Sequence, residues 1–122
     1  MKDVDTISRE ELKGKLDRGD DFKLAMALSP WAFEAKHIPG SINIASGEQG
    51  PGPMTEWVIL PADEIVVYCT GGDCMSSLQA YKRLVELGFT NVRHYAGGLS
   101  DWEAAGYPLE GSLVVSKDAV ED

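Results

Sequence analysis

The chain holds two thiols, Cys69 and Cys74, and both fall in one stretch, EIVVYCTGGDCMSSLQAYKRLVELG, from Glu64 to Gly88. A thiolate is a strong nucleophile, so the question is which cysteine can be held as an anion. Ile65, Val66, Val67 and Tyr68 are a continuous β-branched and aromatic run, the pattern of a strand buried on both faces, and Cys69 sits where it ends. Gly71 and Gly72 then let the backbone turn tightly and aim several N–H groups inward. Ser76 and Ser77 can cap a following helix whose apolar positions Leu78, Tyr81, Leu84 and Val85 recur on one face, with Gly88 closing it. A helix N-terminus carries about half a positive charge. Together with loop amides it favours thiolate over thiol at Cys69. The competing reading is a buried structural cysteine at the end of a core strand, a common fate for this residue type.

Other segments must position this loop. Ser8 can cap a helix running to about Arg18, with Glu11 at the third position of a capping box, Ile7 packing on Leu12, and Gly19 as the terminator. Phe22–Leu28 reads as a second buried strand. Ser29-Pro30 opens a short helix through Ala35, and His37-Ile38-Pro39-Gly40 turns the chain into a strand over Ser41–Ile44. The stretch ASGEQGPGPM, Ala45 to Met54, is loop, with room for a turn or two over Thr55–Leu60. Val92–Tyr95 is a further strand, and Ser100–Ala105 a helix capped by Ser100 and ended by Gly106. Leu113–Val115 can dock as an edge strand in an otherwise frayed acidic tail, residues 112–122. Strands alternating with helices predict an α/β domain with a parallel sheet and right-handed crossovers, its active loop at the carboxyl ends of the strands. At 122 residues, 43% hydrophobic, the chain fits one domain, residues 1–111 before the tail.

Eleven Lys and Arg against 20 Asp and Glu give a formal net charge of −9. That balance argues against nucleic acid or an anionic membrane surface as partner. The N-terminus lacks the apolar core of a signal peptide, no run is long enough to span a bilayer, and two cysteines in one loop are no stapling framework. A soluble protein of a reducing cytoplasm is the simplest reading.

HIPGSINI (His37–Ile44), VVYCTGGDCMSS (Val66–Ser77), ELGFTNV (Glu86–Val92) and YAGGLSDWEAAGYPLEG (Tyr95–Gly111) occur in an order and spacing that resembles the rhodanese-like family. The likeness runs from about Phe22 to Gly111, and the GGL-x-x-W-x-x-A-G-x-P block is its most specific part. The resemblance implies a five-stranded, mainly parallel sheet with helices on both faces and a single-domain sulfurtransferase without a cofactor. It further implies that Cys69 accepts a sulfane sulfur from a donor, becomes a persulfide and passes the outer sulfur to an acceptor. Thr70, Gly71, Gly72, Asp73, Cys74 and Met75 would supply the surrounding N–H groups, and Ser76 the hydroxyl. Both thiolate and persulfide are anions, so one ring of donors serves both states.

Three departures qualify what the resemblance implies. The loop is one residue longer than in the commonest sulfurtransferases and approaches that of related phosphatases, but Met75 stands where an oxyanion-binding arginine would be needed. Phosphoryl chemistry is therefore disfavoured. The loop also has no Lys or Arg and does have Asp73; at roughly 6 Å and an effective dielectric of about 20, each unit repulsion on a dianion such as thiosulfate costs about 3 kcal/mol. A protein persulfide, a low-molecular-weight persulfide or a larger uncharged donor is easier to accept. Finally, Met26, Ala27 and Leu28 replace the family's D-V-R, and Ala32 replaces the acid that answers its arginine; a joint loss of an ion pair is compatible with folding but removes polar support from the loop, and turnover is expected to be weaker.

Cys74 can act as a resolving thiol for Cys69, provided their Cα atoms come within about 7 Å. His37 and His94 read as structural, and two histidines without softer ligands are a poor metal site. Trp31, Trp57, Trp102 and Tyr107 read as core or rim. The functional expectation is a persulfide-carrying sulfurtransferase on Cys69. The alternatives are a sulfur-relay or regulatory binding module with slight turnover, and a Cys69/Cys74 redox sensor.

Overall fold

The computed structural model describes residues 4–27, 30–44, 62–71 and 75–112. In chain order they form α1 (Arg9–Arg18), β1 (Lys23–Met26), α2 (Pro30–Ala35), β2 (Ile42–Asn43), β3 (Ile65–Tyr68), α3 (Ser76–Glu86), β4 (Val92–His94) and α4 (Gly98–Ala104). The four strands make one parallel sheet in the order β2-β1-β3-β4. The central strands are β1 and β3, which are buried at every position but Lys23, as coverage of both faces requires. Thr6 adds an isolated parallel bridge to His94 beside β4. Four strands are therefore seen among the described residues; the expected edge strand Leu113–Val115 lies outside them, as do residues 45–61 with Trp57.

Alternation along β3 divides the core. Val66 and Tyr68 face a layer with Leu12, Ile38, Leu99 and Trp102, while Ile65 and Val67 face Ala80, Tyr81 and Leu84 of α3. Helices thus cover both faces. The chain enters β2 from β1 on one side and crosses over β1 to reach β3 on the other, so the order reverses between β1 and β3. In open α/β sheets the crevice at such a reversal, at the carboxyl ends, is where ligands bind.

Local chemistry explains the first helix. Ser8 Oγ accepts from Glu11 N at 3.1 Å, and Gly19 takes the left-handed conformation at φ +73°. The capping box is half closed, because the Glu11 carboxylate goes to Arg93 at 2.7 Å instead of back to the helix start. Two other helix starts differ from expectation. Met75, not a serine, is the N-cap of α3 and makes no side-chain cap bond, while α4 begins at Gly98, two residues before Ser100. Ser100 donates its N–H to Thr70 O at 2.9 Å, so its backbone is engaged by the loop after β3.

The buried face of α3 is Ser77, Ala80, Tyr81 and Leu84; Val85 is exposed and Leu78 half-buried. That is one residue out of phase with the apolar stripe Leu78, Tyr81, Leu84 and Val85. The stripe counted hydrophobicity alone, whereas the helix turns a hydroxyl inward for a polar partner described next.

Candidate active site

Cys69 follows β3 directly. Its position in the alternation, two after Val67, aims it at the face covered by α3. Its Sγ lies 3.3 Å from Ser77 Oγ in the first turn of α3, so the positive end of that helix is at the sulfur, with no acidic residue in the first turn to offset it. Ser77 Oγ in turn lies 2.7 Å from His94 Nε2. Val67 and His94 are register partners on β3 and β4, which is why the imidazole reaches the same face. The result is a continuous chain Cys69–Ser77–His94 at the carboxyl end of the sheet.

The sulfur is more covered than the sequence led us to expect. Cys69 is 1% exposed and is disulfide-bonded. In the reduced protein this would be a thiol at the mouth of a central strand; here it is oxidised and closed over. Gly72, Asp73 and Cys74, expected to complete the ring of amides, lie outside the described residues. Thr70 and Met75 are exposed, Gly71 is half-buried, and Ser76 is half-buried as the first helical residue. The hydroxyl in contact with sulfur is therefore that of Ser77, not Ser76.

The start of the loop is bolted to α4. Leu99 N donates to Cys69 O and Ser100 N to Thr70 O, each at 2.9 Å. Gly98, at φ +61°, passes so close that a Cβ there would lie 2.5 Å from Cys69 O and 2.6 Å from Gly71 N. This close approach gives the GGL sequence a physical role in holding the loop. On the other side, Tyr68 Oη accepts from Ile38 N at 2.9 Å and contacts Ser41 Oγ at 2.9 Å, tying the end of β3 to the HIPG turn. Burial pushes the Tyr68 phenol up to about 12. Met26, which stands where the resemblance places an aspartate, is fully buried, as is Ala27.

The remaining aromatic and histidine residues fall away from the sulfur. His37 Nδ1 is 2.7 Å from Phe33 O and its main chain pairs with Glu110. Trp102 is buried, donating Nε1–H to Pro108 O at 2.8 Å, and Trp31 is 74% exposed on α2. A polar hollow of 210 Å³ lined by Asp21, Lys23, Glu64 and Asn91 lies at the opposite, amino end of the sheet and has no nucleophile. Among the described residues no cluster of His, Cys, Asp or Glu is assembled to hold a metal, and no helix is long and apolar enough to cross a membrane.

His94, which reads as structural in the sequence, is brought by the fold to Ser77 beside the sulfur. Burial lowers its pKa from the ordinary histidine value. Parity on parallel strands was the available signal: positions 65, 67 and 69 share a face with 92 and 94, and the i, i+3, i+4, i+7 set from Ser77 includes Ala80, Tyr81 and Leu84.

A family model for the rhodanese-like domain matches residues 8–105. The chain is 30% identical over 106 residues to mouse thiosulfate sulfurtransferase/rhodanese-like domain-containing protein 3, covering 79% of this chain and 66% of that protein. It is 35% identical over 86 residues to thiosulfate sulfurtransferase GlpE of Pseudoalteromonas translucida, covering 70% of this chain and 77% of the relative. Among solved structures, the BH2092 protein of Bacillus halodurans superimposes with a TM-score of 0.81 at 21% identity, covering 98% of this chain and 85% of that one. With the parallel sheet, the loop after β3 and the GGL helix start in place, the chain belongs to the rhodanese-like domain family, whose members include sulfurtransferases.

Proposed function

We propose that this protein is a sulfurtransferase that carries sulfane sulfur as a persulfide on Cys69, within a single unit formed by residues 1–111. The observation that carries this is the placement of Cys69 Sγ at the carboxyl end of a central strand against the first turn of α3, with a hydroxyl 3.3 Å away. Helix and hydroxyl both favour sulfur in its anionic forms, before and after loading. Under this reading the main-chain N–H groups of the residues that follow Cys69 are the remaining donors to the anion. The two relatives above are named for thiosulfate, but residues 70–75 here contain no cation and include Asp73 in a chain of net charge −9. A persulfide, on a protein or a small thiol in a reducing compartment such as the cytoplasm, is the better-matched donor, and a thiol the acceptor.

The covered sulfur sets the condition for activity: reduction has to expose Cys69 to the donor. Offering thiosulfate and a small persulfide in turn to the reduced protein, and measuring the rate at which one sulfur is added to Cys69, tests the reading. Faster loading from the persulfide is expected. An accessible thiol that takes sulfur from neither donor replaces the sulfurtransferase with a partner-binding module.

A second reading draws on the disulfide at Cys69. With Cys74 as resolving thiol, its thiolate attacks Cys69 Sγ of the persulfide, the Sγ–S bond breaks, and the outer sulfur leaves with the electron pair as hydrosulfide. The same pair can serve as a thiol redox sensor. Replacing Cys74 with Ser and finding hydrosulfide release unchanged removes this reading.

A further inference from the structure

Transfer of sulfur to and from Cys69 moves a proton as well, and residues 70–75 contain no histidine, lysine or arginine to hold it. The structure brings one from 25 residues away in sequence, on the next strand. We propose that His94, acting through Ser77, is the acid–base partner of the Cys69 sulfur, an assignment that rests on Cys69 being the sulfur carrier.

A hydroxyl both donates and accepts, so Ser77 can pass a proton in either direction between Sγ and Nε2. In the disulfide form Sγ has no proton; both contacts are satisfied when His94 Nε2–H donates to Ser77 Oγ and Ser77 Oγ–H donates to Sγ. In the thiol form the chain reverses, S–H donating to Oγ and Oγ–H to Nε2. Loading then proceeds as the Cys69 proton moves through Ser77 to His94 and Sγ attacks the outer sulfur of a persulfide R–S–SH. A Cys69–S bond forms, the donor S–S bond breaks, and its electron pair leaves on R–S⁻. In the second half an acceptor thiolate takes the outer sulfur, the electron pair of the broken bond returns to Sγ, and His94 hands its proton back through Ser77. No oxidant or reductant enters either half.

The surroundings leave His94 free for this task. Among the described residues, the titratable groups on the elements packed beside it are Tyr81 on α3, whose ring centroid is 6.5 Å away, and Cys69 after β3, which it meets through Ser77. From the N-terminal segment Asp5 presents its carbonyl to His94 N at 2.7 Å, with its carboxylate beside Arg93 at 3.7 Å. Burial lowers the pKa of the imidazole and so favours its neutral form, which carries the lone pair that a proton would meet. His94 reaches the sulfur only through Ser77 and is in that sense a positioning residue.

The test uses the reduced full chain and iodoacetamide alkylation of Cys69 as a function of pH, with persulfide loading followed by intact mass. H94Q keeps a hydrogen-bond donor near Ser77 but cannot take up a proton, and S77A cuts the chain without enlarging a side chain. The expected result is an alkylation profile with a histidine inflection in the wild type that both variants lose, with loading near pH 7 slowed on the order of 10-fold or more. The double variant should be no slower than either single one, because both break the same chain. Profiles of S77A and H94Q that superimpose on the wild type, with loading intact, overturn the assignment. Failure of the wild type to load at all is a different outcome, and it overturns the sulfur-carrier reading on which the assignment rests.

Discussion

Gly98 offers a quantitative test of how the loop is held. Replacing it with Ala forces an L-residue into φ +61°, which costs about 1–2 kcal/mol. The new Cβ would also lie 2.5 Å from Cys69 O, 2.6 Å from Gly71 N and 2.7 Å from Thr70 C, all main-chain atoms that cannot rotate away. Overpacking of this kind costs about 1–3 kcal/mol, giving a total of roughly 2–5 kcal/mol. Gly88 is the internal control: it is also left-handed, at φ +100°, but a Cβ there meets nothing within 4 Å. Gly88→Ala should therefore cost only the backbone part, about 1–2 kcal/mol. Urea unfolding of both variants measures the difference, and iodoacetamide alkylation of Cys69 reports whether the loop has shifted. Equal destabilisation of the two variants, with unchanged Cys69 reactivity in Gly98→Ala, would refute the claim that α4 clamps the loop by close backbone approach.

Other expectations follow from the packing and the titrating groups. Tyr68→Phe leaves buried Ile38 N without its acceptor and should cost about 1–3 kcal/mol by urea denaturation. Because the folded-state pKa of Tyr68 is raised from 10 to about 12, its contribution is present below pH 10 and lost as pH rises to 12, about 2–3 kcal/mol over that window, and Tyr68→Phe should flatten that part of the stability curve. His94 has the opposite sign: its lowered pKa stabilises the fold above the unfolded histidine value of 6.5, an advantage lost as pH falls through the folded value, so H94Q should reduce the acid sensitivity of the melting temperature. Trp102→Ala removes a fully buried indole packed edge-on against Tyr107 at 4.8 Å and should cost about 3–5 kcal/mol in the same urea assay. Asp73→Asn should raise loading from thiosulfate more than loading from a monoanionic or neutral persulfide, measured as a ratio of rates.

The framework of this protein is legible in its sequence where one local rule dominates. Ile65–Tyr68 is apolar at every position because β3 is central, and Ser8 and Gly19 bracket α1 through a side-chain cap and a left-handed turn. The site is legible only in part. The cysteine and its glycines announce themselves locally, but Ser77 and His94 acquire meaning from packing between α3 and β4, which no single segment encodes. The serine was hidden by counting apolar residues on α3, since the inward hydroxyl breaks the hydrophobic stripe. The start of α4 was misplaced for a related reason: a cap was assigned to Ser100, whereas its N–H is used by Thr70 O and the helix starts at a glycine chosen for close approach. The covering of Cys69 likewise depends on tertiary packing and its oxidation state, neither of which strand pattern reports.

The most direct test of the sulfur-carrier claim is the intact mass of reduced protein after persulfide treatment, taken before and after an acceptor thiol is added, for wild type, Cys69→Ser and Cys74→Ser. The expected result is one added sulfur in the wild type and in Cys74→Ser, located on Cys69 by peptide mapping and lost to the acceptor, with none in Cys69→Ser. An added sulfur that persists in Cys69→Ser, or a reactive Cys69 that never gains one, contradicts it.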